Sequence, residues 1–109
     1  MNEQQTASRE IIDDIVRRIV GAVAPEKIIL FGSAARGEMS ADSDLDILVV
    51  KDDPDTLGLL GRIYRSLYGA GAAVDAIVTT PKDLERFRDS HALVFKSAIL
   101  EGRVLYDAF

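Results

Sequence analysis

Asp44 and Asp46 stand two residues apart at the head of an apolar run that continues through Leu45, Ile47, Leu48, Val49 and Val50. In extended backbone, side chains two apart point to the same face. Their Cα atoms then lie roughly 6 to 7 Å apart, from a rise of about 3.3 Å per residue. That separation suits carboxylate oxygens converging on one or two Mg²⁺ ions, which take hard oxygen ligands and share them with substrate phosphates. Left to themselves, two such charges would repel each other and resist burial beside Leu45, Ile47 and Val49. A divalent cation resolves the conflict. An isolated Asp-x-Asp is nevertheless most often a pair of exposed acids, so its neighbours must decide.

Gly32-Ser33 is the first such neighbour, separated from Asp44 by ten intervening residues. It follows directly on the apolar run that ends at Phe31 and starts a helical turn, an arrangement that turns backbone N–H groups toward an anion. Glycine lets a phosphate approach the backbone, and Ser33 adds a hydroxyl donor. Arg36, one turn on, can reach a phosphate as a forked donor. Asp75 is the second neighbour. It interrupts Ala73-Val74-Asp75-Ala76-Ile77-Val78, where a charge is out of place unless it is paired or metal-bound. If that segment is a strand beside the one carrying Asp46, Asp75 faces the same site as a metal ligand or general base. An edge-strand aspartate facing water is the alternative.

These residues need elements to hold them. Apolar pairs at Ile11/Ile12, Ile15/Val16, Ile19/Val20 and Ala22/Val23 predict a helix over 10–23, with Asp13, Asp14, Arg17 and Arg18 on its wet side and Pro25 as its stop. Lys27–Phe31 reads as a buried strand, followed by a helical turn over 33–36 that ends at Gly37. Asp44–Val50 reads as a second strand. Asp53 is expected to cap the next helix with Pro54 in its first position, and Leu57, Leu60, Ile63, Tyr64 and Leu67 mark that helix up to Gly69. A third strand over 73–78, a helix opened by Thr80-Pro81 and running to about Arg88, an apolar helix over 92–100 and a short strand over 103–106 complete the chain. The order β-α-β-α-β predicts an α/β (α+β) fold, a small mixed sheet of about three or four strands flanked by helices, in a single domain over residues 1–109.

Composition bounds the function. The chain has 109 residues, 48% of them apolar, enough for one core without staples. It has no cysteine, hence no disulfides and no thiolate metal site. A net charge of −5 argues against a generic nucleic-acid grip. No apolar run approaches the roughly 20 residues that span a bilayer, and no secretory pattern opens the chain, so the expected location is the cytoplasm.

Phe-Gly-Ser-Ala-Ala-Arg-Gly at 31–37, followed by Ser43-Asp44-Leu45-Asp46-Ile47-Leu48-Val49, resembles the signature of the minimal nucleotidyltransferases of the DNA polymerase beta-like superfamily. The resemblance extends over nearly the whole chain, to Leu100-Glu101-Gly102-Arg103-Val104-Leu105-Tyr106. It implies a two-metal nucleotidyl transfer, with Asp44 and Asp46 holding Mg²⁺ on ATP and Gly32 and Ser33 binding its β- and γ-phosphates. Ser43, inside the matched text, joins the nucleotide-binding set. Asp75 would complete the second metal site and help deprotonate the attacking hydroxyl. Many small members of this family are antitoxins encoded beside a HEPN-domain RNase toxin and silence it by moving AMP onto a toxin tyrosine. A chain barely larger than the catalytic core fits that role, with the partner protein completing the site. Transfer to a small molecule such as an aminoglycoside, and a non-catalytic antitoxin that acts by contact alone, are the competing readings.

His91 reads as a cap or surface residue, and the charges from Lys82 to Asp89 as a solvated helix face. Tyr64, Tyr68, Phe87 and Phe95 read as core or interface.

Overall fold

The computed structural model describes residues 3–35, 44–87 and 102–108, with side chains from residue 9 onward except at 33, 34 and 87. Eight elements follow in chain order: α1 (Glu3–Val23), β1 (Lys27–Phe31), α2 (Gly32–Ala35), β2 (Leu45–Val50), α3 (Thr56–Ser66), β3 (Val74–Thr79), α4 (Pro81–Phe87) and β4 (Arg103–Asp107). The strands form one mixed sheet in the order β3-β2-β1-β4. β1 is antiparallel to both β2 and β4, whereas β2 and β3 run parallel, the crossover between them being α3. The expected mixed sheet flanked by helices is therefore observed, with four strands. The apolar segment 92–100 and His91 lie outside the described residues.

One face of the sheet carries the larger core. Ile28 and Leu30 of β1, Leu45, Ile47 and Val49 of β2, and Ala76 of β3 meet Ile15, Ile19 and Val23 of α1 and Leu59 and Ile63 of α3. The i, i+4, i+8 spacing of the α1 set puts one stripe on the sheet, as the paired apolar pattern requires. The other strand residues alternate to the opposite face, where Ile29, Phe31, Leu48 and Val50 form a second cluster with Ile77 and Leu84 of α4.

Three local expectations need correction. Arg18 is not simply on the wet side of α1. It pairs with Asp14 at 2.8 Å and donates to the carbonyls of Ser66 and Tyr68 at 3.1 and 3.0 Å, tying α1 to the end of α3. The cap of α3 is Asp55, not Asp53: Asp55 Oδ1 accepts from the Gly58 N–H at 3.0 Å. Asp53 instead accepts from the Asp55 N–H at 2.8 Å, and this side-chain turn delays the helix by two residues, leaving Pro54 outside it. Leu57 does not face the core; Leu59 and Ile63 do. The inner stripe is set by the i, i+4 pair Leu59 and Ile63, which leaves Leu57 on the outer side.

At α4 the expectation holds. Thr80 Oγ1 accepts from the Asp83 N–H at 3.0 Å, and Pro81 takes the first helical position.

Candidate active site

β1 ends where β2 and β3 begin, and this end of the sheet collects the predicted residues. Phe31, last in β1, is the register partner of Asp46, second in β2. Asp46 is in turn the register partner of Asp75, second in β3. Parallel neighbours in register lie about 4.8 Å apart, so the two carboxylates stand side by side. Alternation puts both on the face of Leu48 and Ile77, away from α1 and α3.

Asp44 lies just before β2 and is exposed, as is Asp75, while Asp46 is half-buried. The hydrogen bond from Leu45 N–H to the Ala73 carbonyl, 2.9 Å long, continues the β2–β3 ladder to this end, next to Asp44. The electrostatics register the closeness of Asp75 and Asp44 to Asp46. Burial pushes the Asp46 carboxyl above the usual carboxylate range, and the charges of Asp75 and Asp44 push it the same way. None of the three has an ion-pair partner among the described residues.

Gly32 adjoins them. It has φ +73, a left-handed conformation that glycine adopts freely, and its α-carbon faces Asp46: a Cβ there would lie 2.5 Å from Asp46 Oδ2. Glycine at 32 therefore serves the turn and leaves room for the Asp46 carboxylate. The second role was not visible from spacing, because it depends on the β1–β2 register.

The arrangement thus unites Gly32, Asp44, Asp46 and Asp75. Ser33 follows Gly32 within α2, and its side chain lies outside the description, as do Arg36 and Ser43 entirely. The donor set suits a hard divalent cation: three carboxylates, no cysteine, and an excess of negative charge that a cation would relieve. Among the described residues the acids are not already drawn round one ion position, so a bound cation would have to gather them.

Sequence reasoning missed one supporting contact. The Ala76 N–H, next to Asp75, donates to the Tyr64 hydroxyl at 2.9 Å. Its odd-numbered neighbours bond to β2, as the Thr79 carbonyl does with Lys51 N–H at 2.9 Å, so Ala76 N–H points to the open edge of the sheet. Tyr64 closes that edge beside the site. An exposed tyrosine in a helical pattern carries no sequence signal for this.

An acid-lined sheet end beside a glycine turn, in a mixed four-stranded sheet, has the donor types that suit phosphates and cations together. The chain belongs to the nucleotidyltransferase domain family, whose model matches residues 9–106, and it is a nucleotidyltransferase. Among curated proteins it is 36% identical over 107 residues to MJ0604 of Methanocaldococcus jannaschii, provisionally named a protein adenylyltransferase; the match covers 97% of this chain and 100% of that one. Among solved structures, a provisionally named nucleotidyltransferase of Sulfolobus solfataricus superposes with a TM-score of 0.66 at 22% identity, over 97% of this chain and 86% of the other. A toxin–antitoxin crystal structure with AMP-PNP superposes with a TM-score of 0.65 at 19% identity, over 88% of this chain and 73% of the other. These two structural likenesses establish the shared fold. No described helix is long and apolar enough to cross a membrane.

Proposed function

We propose that this chain transfers AMP from ATP to a hydroxyl side chain of a partner protein, a HEPN-type RNase toxin that is thereby neutralised. The observation that carries the reading is the in-register pairing of Asp46 with Asp75 next to Gly32. It brings two carboxylates and a glycine turn to one end of the sheet, the groups this reading needs. The name of the M. jannaschii relative, matched over its full length, supports protein as the acceptor. The toxin–antitoxin structure with AMP-PNP supports an adenine nucleotide and a toxin partner on this fold.

In this reading Asp44 and Asp46 hold Mg²⁺, and Asp75 completes the set. When bound, the metal would neutralise charge on the triphosphate and on the departing pyrophosphate. The backbone at Gly32 and Ser33 grips the β- and γ-phosphates, with Ser43 and Arg36 as further nucleotide contacts. Asp75 accepts the proton of the acceptor hydroxyl as its oxygen bonds to the α-phosphorus. The bond from that phosphorus to the β-phosphate oxygen breaks, and pyrophosphate leaves. Asp75 suits the proton-accepting part because it is exposed to an incoming hydroxyl, whereas Asp46 is half-buried.

The test is incubation with α-labelled ATP, Mg²⁺ and the product of the adjacent gene. Label should appear on that product and vanish with Asp44→Ala/Asp46→Ala. Absence of transfer, or transfer by the double variant, overturns the catalytic reading. Neutralisation without label would identify action by contact, and label on a small molecule alone would identify the other acceptor class.

A further inference from the structure

The outer face of α3 and the turn that follows it expose apolar surface that the fold leaves uncovered, although the Tyr64 hydroxyl itself is held by the Ala76 N–H. Leu57, Tyr64 and Tyr68 are 82%, 42% and 91% exposed, three of the four large apolar side chains left open among the described residues. At 3.6 residues per turn Leu57 and Tyr64 fall within about 20° of one another round the helix, and Tyr68 follows in the turn just after Ser66. Single exposed apolar residues are ordinary, but a line of them marks a contact surface. Gly61 sits in the same line. Glycine inside a helix costs stability relative to alanine, and here nothing among the described residues requires it: a Cβ at 61 meets no atom within 4 Å. Gly58 differs, because a Cβ there would collide with the capping carboxylate of Asp55. Arg62 and Arg65 flank the line, exposed and without an ion-pair partner among the described residues.

We propose that this face binds a second copy of the chain, with the two α3 helices crossing antiparallel about a two-fold axis at Gly61. The helix is complementary in charge to its own reverse. Asp52, Asp53 and Asp55 precede it, and Arg62 and Arg65 lie in its second half. Reversal about Gly61 sets the acidic start of each helix near Arg65 of the other, leaves Arg62 beside the crossing, and opposes the helix dipoles favourably. A two-fold axis makes one patch serve both partners. Glycine at the crossing lets the backbones approach, while Leu57, Tyr64 and Tyr68 close over the contact from both sides. Tyrosine and arginine round a small apolar centre are the residue types that dominate protein interfaces. The proposal is independent of what the protein transfers, or to what.

The purified full chain should show a concentration-dependent mass, up to twice the monomer, in sedimentation velocity. Gly61→Gln improves helix propensity, so it leaves the fold intact while obstructing the crossing. It should raise the dissociation constant roughly tenfold or more, as should Leu57→Ser, and Arg65→Glu should weaken association in low salt. Because the chain has no cysteine, Gly61→Cys supplies a unique thiol that should form a disulfide-linked dimer under mild oxidation. Gly21→Cys, at an exposed glycine of α1 whose added Cβ also meets nothing, should not. A monomer at every concentration overturns the proposal, including the case in which this face captures a different protein. A dimer insensitive to Gly61→Gln and Leu57→Ser, or equal cross-linking at 21 and 61, overturns it as well.

Discussion

The α-carbon of Gly32 and the carboxylate of Asp46 occupy one steric unit, since a Cβ on residue 32 would come within 2.5 Å of Asp46 Oδ2. The turn proposed to grip phosphate and the strand proposed to hold the cation are therefore not independent. Gly32→Ala should lose on two counts. Left-handed backbone costs alanine about 1–2 kcal/mol, and the added methyl must displace the carboxylate. A displacement of this kind at a reacting centre can cost roughly 10²-fold in rate. Thermal melts and transfer kinetics should show both losses, with Mg²⁺ affinity falling too. Full activity in Gly32→Ala would mean that Asp46 has room the structure denies it.

The crowding of Asp46 predicts an unusual pH response of the metal-free protein. Its carboxyl is raised by burial first, then by the charges of Asp75 and Asp44. A carboxyl with a raised folded-state pKa contributes stability that is fully present below its unfolded pKa, and that is lost as pH rises through the folded one. At neutral pH, in EDTA, ionised Asp46 therefore opposes folding. Asp46→Asn should melt higher than the wild type there, and the gap should close as pH falls below the ordinary carboxylate range. Added Mg²⁺ should stabilise the wild type and leave the variant unmoved. A variant less stable than the wild type in EDTA at pH 7 would show that the carboxylate is held by attraction rather than crowding.

Asp75 shares the register position of Asp46 but sits on the edge strand and is exposed. The difference separates binding from turnover. Asp75→Asn should leave Mg·ATP binding largely intact, measured by calorimetry, while lowering turnover by roughly 10²-fold or more, the scale of a lost general base. Loss of nucleotide binding instead would assign Asp75 to the first cation or to the architecture.

The residues that meet at this end of the sheet were more legible in the chain than the helix geometry was. Asp44, Asp46 and Asp75 announced themselves as charges set in β-forming runs, and Gly32 as punctuation directly after a strand. Those signals are local and survive in a linear string. What needed three dimensions was register. Spacing could offer a neighbouring third strand only as a condition, and the parallel pairing of β2 with β3 is what sets Asp46 against Asp75. The start of α3 failed for a different reason. Asp53, Pro54 and Asp55 offer two acceptable caps, and local hydrogen bonding chose the second; separately, Leu59 and Ile63 rather than Leu57 form the inner stripe. Arg18 looked like solvent-facing charge because its partners, the Ser66 and Tyr68 carbonyls, lie 48 and 50 residues away in sequence.

The Tyr64 hydroxyl yields the last prediction. β3 is an edge strand, and at Ala76 its outward N–H is satisfied by a helix side chain rather than by another strand. Unpaired edges invite pairing with other chains, so the phenol has a protective role beside the Asp75 position. Tyr64→Phe keeps the ring and its packing but removes the acceptor. Because the residue is partly exposed, water can replace some of the bond, and the loss should fall at about 0.5–1 kcal/mol, within the usual range for one hydrogen bond. Amide exchange resolved by residue should show the Ala76 N–H exchanging several-fold faster, with little change at Leu45 or Lys51, whose N–H groups bond to β3 carbonyls. Uniform acceleration across the sheet would point to a global loss of stability. No change at Ala76 would show that the edge is held by the packing of α3 against β3 alone.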